Sequence, residues 1–286
     1  MKRKPKAAST DYTQAMLPQT RKAVFFDVLH LHWQKLLLLG FVLLCFAVPL
    51  LLSTVVRDIY VPNFLNAIAP DAQAEAGYAL AYWEIARSII GILFLMLFSV
   101  GLSGVLRILR QYAWLENVHI PTDFVRGIQD NCKQLLVLAF FSGLLYALCQ
   151  VVLYFSVSYR SAIAGAFSLF PLALTLLLIL PLFSITAIMI PVYSNSLFAH
   201  LKNALHVYTH APLKTFLALL GCTLPWIPSI IPNSYCHLFG SMIGILSMPF
   251  MLLAWTLFCY NRFDEQINPF CCPDLIGKGI RHNDSL

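Results

Sequence analysis

Two groups of side chains have the residue types and spacing that metal or redox chemistry requires. His206 and His210 lie four positions apart, so a helix would place both imidazoles on one face, as in the HExxH zinc motif. The glutamate of that motif is absent, and the adjacent Cys271 and Cys272 have neither a second cysteine pair nor a histidine at zinc-ligand spacing. We therefore interpret the histidines as a solvated or headgroup-facing stripe and the cysteines as part of an interfacial tail, and expect no metal site.

Sequence motifs of hydrolytic and phosphate-transfer enzymes are missing. The chain contains no GxSxG nucleophile elbow, no P-loop and no paired aspartates within an apolar segment. Gln150 is the most polar side chain well inside an uncharged segment, where its amide would hydrogen-bond a neighbouring helix or, alternatively, contact a substrate. We therefore expect a non-enzymatic protein with no catalytic residues and no cofactor.

Prolines break the later apolar segments, and Pro181, Pro225 and Pro228 are the candidate positions among them. Each lacks a backbone donor and can kink or break its helix. Transporters use broken helices near the bilayer midplane to present backbone groups to a substrate, but prolines are also frequent in ordinary membrane helices. We favour a structural role and keep a substrate path as the alternative.

The elements that position these residues follow from the distribution of charge along the chain. Hydrophobic residues occupy 59% of the 286 positions and charged residues only 11%, whereas soluble domains have about 25% charged residues. The long uncharged stretches accommodate helices of roughly 20 residues, the length that crosses a bilayer core. We predict an all-α, polytopic transmembrane bundle with about six spans, at positions 36–56, 87–107, 134–157, 164–190, 214–231 and 237–259.

Lysine and arginine residues set the predicted orientation of this bundle. With six spans, only Arg57, Arg87 and Arg160 of the 19 basic residues fall on one side of the membrane. Basic loops mark the cytoplasmic side, so we predict a multi-pass cell-membrane protein with both termini cytoplasmic. The net charge of +6 then reflects basic loops beside anionic headgroups, so we expect the lipid bilayer as a partner and no nucleic acid. The oligomeric state stays open.

The chain is interpreted as a single integral membrane domain over residues 1–286. Residues 1–22 would form a basic cytoplasmic tail, 57–87 an external loop and 262–286 a second cytoplasmic tail. Apolar residues at helical spacing predict a short cytoplasmic amphipathic helix before each odd-numbered span. The three stripes are Phe25, Leu29, Trp33 and Leu36; Phe124, Ile128 and Cys132, after a cap at Thr122 or Asp123; and Phe198, Leu201, Leu205 and Tyr208. Two explanations of these three segments stay open. The chain is either a threefold repeat of an amphipathic helix followed by a two-span hairpin, or the segments are unrelated and share a composition because each precedes a membrane span.

Small residues four positions apart predict where helices pack closely. Ala139, Gly143 and Ala147 are spaced in this way in the third span, and Gly240 and Gly244 in the sixth. Such residues let two helix backbones approach each other. This pattern predicts packing and says nothing of activity.

A distinctive order of residues runs from Gly101 to Gln134. A glycine-containing span end leads into Gly104-Val105-Leu106-Arg107-Ile108-Leu109-Arg110, and Asp123-Phe124, Asn131 and Lys133-Gln134 follow before the next span. This order resembles the YesL-like family of bacterial membrane proteins. Members are integral membrane proteins often linked to carbohydrate uptake, without an established molecular activity. The resemblance makes Arg107, Arg110, Asp123, Phe124 and Asn131 candidate interaction or structural positions.

Two functional hypotheses follow, and they belong to different classes. The first is a non-enzymatic accessory or partner of a transport system, for carbohydrate uptake as the resemblance implies, which contacts transporter subunits through its cytoplasmic helices and loops. The second is a stand-alone small transporter or channel, in which the proline-broken spans four and five line the path.

Overall fold

A computed structural model of the chain describes residues 18–67, 73–158, 170–171, 173–231 and 233–280. The regular structure of these residues is entirely helical, which confirms the predicted all-α class. The α-helices are α1 Arg21–Ala67, α2 Gln73–Ala113, α3 Ile120–Ser158, α4 Leu180–Met189, α5 Leu197–His210, α6 Pro212–Cys222, α7 Ser234–Gln266 and α8 Asn268–Cys271. A π-helical turn Thr175–Ile179 precedes α4, and 3₁₀ helices cover Leu224–Ile230 and Pro273–Leu275.

Four helices of the described chain are long and apolar enough to cross a membrane. These segments are Arg21–Val61, Ala79–Ala113, Ile120–Val152 and Tyr235–Gln266. They contain predicted spans one, two and six and residues 134–152 of predicted span three. Predicted spans four and five correspond to the shorter apolar helices Thr175–Met189 and Pro212–Cys222. The predicted start of span four, at 164–169, lies outside the described residues, as do most of the N-terminal tail and residues 281–286 of the C-terminal one.

The long helices extend beyond the predicted spans. Residues 57–67 continue α1 and residues 73–87 belong to α2, so most of the segment predicted as an external loop is helical. The amphipathic segment expected before span three is the beginning of α3 itself. The amphipathic segment expected before span one belongs to α1, which has a non-helical kink at His32 (φ −132°, ψ 16°). Only the amphipathic segment expected before span five is a separate helix, α5.

Helices α5, α6 and α7 begin at residues that favour a helix start. The Ser196 hydroxyl accepts the amide of Ala199 at 3.4 Å at the start of α5, and Pro212 opens α6. The Asn233 side chain accepts the amides of Tyr235 (2.9 Å) and Cys236 (3.2 Å) at the start of α7. Side-chain oxygens at this position satisfy amides that have no partner within the helix.

Helices α1 and α7 run antiparallel and contact each other at three levels. Arg21 at the start of α1 pairs with Asp264 near the end of α7. In the middle, a Cβ added to Gly40 would lie 2.3 Å from the carbonyl oxygen of Leu246, so only glycine fits there. At the far end, His237 Nδ1 lies 3.0 Å from Asp58 Oδ2. The start of the first long helix and the end of the last one therefore lie at the same end of the bundle.

The predicted small-residue contacts are present. A Cβ on Gly240 would lie 2.3 Å from the backbone nitrogen of Ser229, and one on Gly244 would lie 2.5 Å from the Trp226 ring, so the hairpin of predicted spans five and six closes on these glycines. In α3, Gly143 faces Ile92 of α2. These close approaches are the packing mode that small residues permit between apolar helices.

The interior of the bundle is packed with apolar side chains, and apolar side chains also cover its flanks. Fully buried residues include Leu39, Ile108 and Leu253 on three different helices. Large apolar residues on the same helices are exposed, and these include Leu38, Phe41, Val48, Leu52, Ile89, Leu93, Leu97, Val137, Phe140, Phe141 and Leu144. An apolar surface of this extent is characteristic of helices that face lipid.

Candidate functional site

The ionic interactions at one end of the bundle centre on Arg21. Its guanidinium donates through Nη2 to Asp264 Oδ2 at 2.8 Å and through Nη1 to the carbonyl oxygen of Lys278 at 2.5 Å. The side chains of Arg21 and Asp264 are only 9% and 16% exposed. A charge-assisted bond between two such shielded groups is stronger than a surface ion pair. The interaction therefore fixes the start of α1 against both α7 and the C-terminal segment.

Three further polar side chains belong to this group: Tyr193, Tyr260 and Asn268. Together with Arg21 and Asp264 they form what we call the Arg21 cluster. The Tyr193 hydroxyl donates to Asn268 Oδ1 at 2.7 Å, and the Asn268 amide donates to Asp264 Oδ1 at 2.8 Å. Both oxygens of the carboxylate are thus engaged. The Arg21 guanidinium lies 5.7 Å from the centroid of the Tyr260 ring. Burial raises the pKa of the Tyr193 phenol well above its usual range, so this hydroxyl stays protonated and donates.

A small cavity lies within the Arg21 cluster. Its volume is about 10 Å³, and its walls include the five residues of the cluster. A space of this size is close to the minimum that holds one water molecule. The cavity is therefore too small for an organic substrate, and the cluster holds protein segments together.

A second group of charged and aromatic residues, the Trp114 cluster, contains Arg110, Trp114, Glu116 and Lys278. Arg110 Nη1 donates to the carbonyl oxygen of Pro191 at 2.9 Å, and its guanidinium lies 4.8 Å from the Trp114 ring centroid. Lys278 Nζ lies 3.9 Å from the same centroid and 3.2 Å from Glu116 Oε1. Cation–π and ionic contacts therefore join the end of α2 to the C-terminal segment and to the residues after α4.

Four residues singled out by the family resemblance lie where α2 and α3 meet. Arg107 forms an ion pair with Asp130, and a Cβ on Gly104 would collide with the Phe124 ring at 2.4 Å. Asp123 and Asn131 are buried on α3. Asp123 is not the cap residue itself, because α3 begins at Ile120 and the Asp123 carboxylate accepts the amide of His119 at 2.8 Å. Arg110, the fifth, belongs to the Trp114 cluster.

The remaining candidates lie apart from these two clusters. Gln150 is half-buried in the second half of α3. Pro181 is buried in the first turn of α4, directly after the π-helical turn. Pro225 and Pro228 lie in the 3₁₀ helix, where the backbone of Pro228 packs against Gly240. The prolines thus coincide with departures from α-helical geometry, as their missing amide donors demand.

The histidine pair of α5 is brought together as its spacing predicts. The ring centroids of His206 and His210 are 4.3 Å apart, and His210 Nδ1 lies 2.9 Å from the carbonyl oxygen of His206. Within the described ranges, no group of three or more His, Cys, Asp or Glu side chains is arranged to hold a metal ion.

The apolar stripe predicted on α5 is divided: Phe198 and Leu205 face outward, whereas Leu201 and Tyr208 are partly buried against the core. His200, Ala204 and Val207 form the buried face of this helix, whereas Phe198 is 78% exposed and Leu205 is also exposed. The outward position of Phe198 and Leu205 fits a helix with one apolar edge toward lipid or a partner. His200 is completely buried, and burial lowers the pKa of its imidazole.

Comparison with family models, with curated proteins and with solved structures finds no match to this chain. The resemblance to the YesL-like family stays a prediction that rests on the residues given above. The Arg21 cluster was not predicted, because its members are distant in sequence, with Arg21 and Asp264 lying 243 positions apart, and no local pattern links them. Only the excess of basic residues at the N-terminus pointed to this end of the molecule.

Proposed function

We propose that the chain is a non-enzymatic, six-span protein of the cell membrane that assists a transport system through its cytoplasmic end. The observation that carries the proposal is the Arg21 cluster, because its buried contacts hold α1, α7, the residues after α4 and the C-terminal segment together at one end of an apolar bundle. Exposed polar residues of these segments, among them Lys22, Glu265 and Asp274, lie at the same end. A surface assembled from four distant segments is suited to recognition by another protein. The resemblance to YesL-like proteins suggests that this protein serves carbohydrate uptake.

The distribution of charge supports an accessory role. Among the described residues, the buried Asp, Glu, Lys, Arg and His side chains are Arg21, Asp123 and His200, each close to the start of a helix. Ionisable side chains inside a bundle are the usual mark of an ion or proton pathway. Several buried serine and threonine hydroxyls bond to their own helices, as Ser103 does to the carbonyl of Val100 at 2.6 Å and Thr186 to that of Leu182 at 2.7 Å.

Both termini are placed in the cytoplasm in this proposal. The antiparallel contact of α1 with α7 is what an even number of spans requires, and basic residues gather at the Arg21 end. The test uses the exposed residues Asn63 and Asn261, one on each helix at opposite ends of the bundle. In intact cells, a membrane-impermeant maleimide should label Asn63→Cys above the background of the native cysteines. Asn261→Cys should react only after permeabilisation, and the reverse pattern contradicts the proposal.

The partner is tested from the exposed face of α5. A photo-crosslinking residue placed at Lys202, which is exposed, should capture a subunit of a carbohydrate transporter in living cells. The matched control carries the same residue at Leu93, which is exposed on the flank of α2 and faces lipid in this proposal. Capture of no transporter subunit from Lys202, or equal capture from both positions, contradicts the accessory function.

A stand-alone transporter is the second candidate, and one observation favours it. The π-helical turn Thr175–Ile179 and the 3₁₀ helix Leu224–Ile230 interrupt predicted spans four and five, and such irregular turns are frequent at functional sites. Purified protein in sealed vesicles should then move a sugar or ion down a gradient, and Pro181→Ala or Pro228→Ala should change the rate. Vesicles without flux exclude this candidate and leave the accessory function standing.

A further inference from the structure

An open apolar groove lies between α1 and α2, near the end of the bundle opposite the Arg21 cluster. Its volume is about 480 Å³, and its lining is almost wholly apolar. Leu52 and Val56 form one wall, and Ile90 and Phe94 form the other. The groove also contains Trp83 and Arg87 at one end and Pro49 at the other. A surface feature with this lining accepts a hydrocarbon chain better than it accepts water.

The polar end of the groove carries an excess of positive charge. Glu84 accepts hydrogen bonds from Nε of Arg57 and from Nε of Arg87, both at 2.8 Å. Among these three side chains the net charge is one positive unit, and the neighbouring Asp58 carboxylate is shielded and lies 3.0 Å from His237 Nδ1. Arg57 is 44% exposed, so its guanidinium is accessible from outside. Arginine forks suit phosphate oxygens, which they bind through paired hydrogen bonds.

Aromatic side chains mark the depth of this charge cluster in the membrane. Tyr60 stacks on Trp83 with ring centroids 5.2 Å apart, and both Tyr60 and Tyr82 are exposed. Tyrosine and tryptophan gather at the level of the lipid headgroups. From Trp83 to Phe94 an α-helix rises about 16 Å, and half of a hydrocarbon core is about 15 Å thick. The groove thus extends from headgroup level through one leaflet.

We propose that the groove binds one acyl chain of an anionic glycerophospholipid whose phosphate lies against Arg57 and Arg87. The inference rests on the proposed membrane-spanning arrangement of α1 and α2, and it adds a lipid site of defined headgroup charge. The chain lies along Leu52, Val56, Ile90 and Phe94 and covers the indole of Trp83. Charge complementarity selects the anionic headgroup over a zwitterionic one.

Quenching of Trp83 fluorescence by lipids with brominated acyl chains tests the site. The protein is reconstituted in vesicles that contain brominated phosphatidylcholine or brominated phosphatidylglycerol, each diluted with its unbrominated form. The fluorescence of Trp83 is obtained by subtracting the fluorescence of the Trp83→Phe variant from that of the wild type. We expect phosphatidylglycerol to be preferred about fivefold, the ratio that corresponds to the attraction of one net positive charge for an anionic headgroup. The double variant Arg57→Gln/Arg87→Gln should abolish the preference, and Glu84→Gln should increase it.

Matched controls separate the possible outcomes. Arg126→Gln removes an exposed arginine of α3 far from the groove and should leave the preference unchanged, whereas Ala86→Phe fills the groove and should reduce quenching by both lipids. Equal quenching by the two lipids in every variant overturns the site, because Trp83 would then face bulk lipid only. Absence of Trp83 quenching, with the other tryptophans still quenched, also overturns it and indicates that protein covers the groove. If no tryptophan is quenched, the proposed membrane-spanning arrangement of the helices is wrong.

Discussion

Arg21 Nη2 lies 2.8 Å from Asp264 Oδ2, and this contact joins residues 243 positions apart in the chain. Both side chains are shielded from solvent. The Asn268 amide donates to the second oxygen of the carboxylate, and the Lys278 carbonyl accepts from Arg21 Nη1, whereas Arg21 Nε has no partner within the described residues. Because the pair is shielded, removal of one partner leaves a charge that lacks both water and a counter-ion.

Asp264→Asn should therefore destabilise the protein strongly. Loss of one partner from a buried ion pair costs about 3 kcal/mol or more, so the midpoint of unfolding in detergent should fall by several degrees. Glu265→Gln is the matched control, because Glu265 is 49% exposed and its pair with Arg262 is worth less than about 1 kcal/mol. Equal unfolding midpoints for the two variants would show that the Arg21 cluster contributes no more than a surface pair.

Gly240→Ala should weaken the packing of the 3₁₀ helix Leu224–Ile230 against α7. The added methyl group would lie 2.3 Å from the backbone nitrogen of Ser229, and backbone cannot move aside as a flexible side chain does. Overpacking of this kind costs about 1–3 kcal/mol. The control is Gly91→Ala in α2, where an added Cβ meets nothing within 4 Å. Thermal unfolding should show a loss for Gly240→Ala and, because alanine favours helix, no loss for Gly91→Ala.

His200 should make stability depend on pH. Burial lowers the pKa of the imidazole, and backbone groups of Tyr193 and Asn195 oppose this shift only in part because they do not reach full hydrogen-bond geometry. A histidine with a lowered pKa in the folded state is stabilising above its unfolded pKa of about 6.5. Stability should therefore fall as the pH decreases below about 6.5.

The pH dependence is measured as the unfolding midpoint between pH 8 and pH 5. His200→Phe removes the titrating group without opening a large cavity, so the slope of midpoint against pH should become shallower than in the wild type. His206→Gln, at an exposed position of the same helix, should retain the wild-type slope. An unchanged slope in His200→Phe would assign the pH dependence to other groups.

Gly279→Ala should release the C-terminal segment. The backbone of Gly279 has φ +86°, and an added Cβ would lie 2.4 Å from the carbonyl oxygen of Ala113. The left-handed conformation alone costs alanine about 1–2 kcal/mol. Trypsin should then cleave after Lys278 about tenfold faster, as followed by mass spectrometry. Gly221→Ala, which meets nothing within 4 Å, should leave the cleavage rate unchanged.

The parts of the fold that sequence predicted are those governed by local physics. Long uncharged segments predicted α1, α2, α3 and α7, because hydropathy over about 20 residues decides whether a helix can face lipid. The spacing of Gly240 and Gly244 predicted close packing, because a residue without a side chain lets a neighbouring segment approach at that position. The bounds of α1 and α2 were harder to predict, because helices continue beyond the apolar core.

The parts that sequence missed depend on contacts between distant segments. Nothing in the surroundings of Arg21, Tyr193 or Asn268 distinguishes these residues from other polar residues beside a span. The inward face of α5 was also missed, because the stripe of large apolar residues at Phe198 and Leu205 is the more obvious one and faces outward. In a membrane protein the most apolar face of a helix is often the one that meets lipid, whereas small residues such as Ala204 form the protein interior.

The link between Arg21 and Asp264 also affects how the protein is made. Translation proceeds at about 5–20 residues per second, so Asp264 is synthesised roughly 12–50 s after Arg21. For most of that interval the first helix has neither this partner nor the Leu246 backbone that packs on Gly40. The nascent amino-terminal segment therefore lacks these native contacts until the last helix is synthesised. Final assembly of the bundle is consequently an event that follows synthesis of nearly the whole chain.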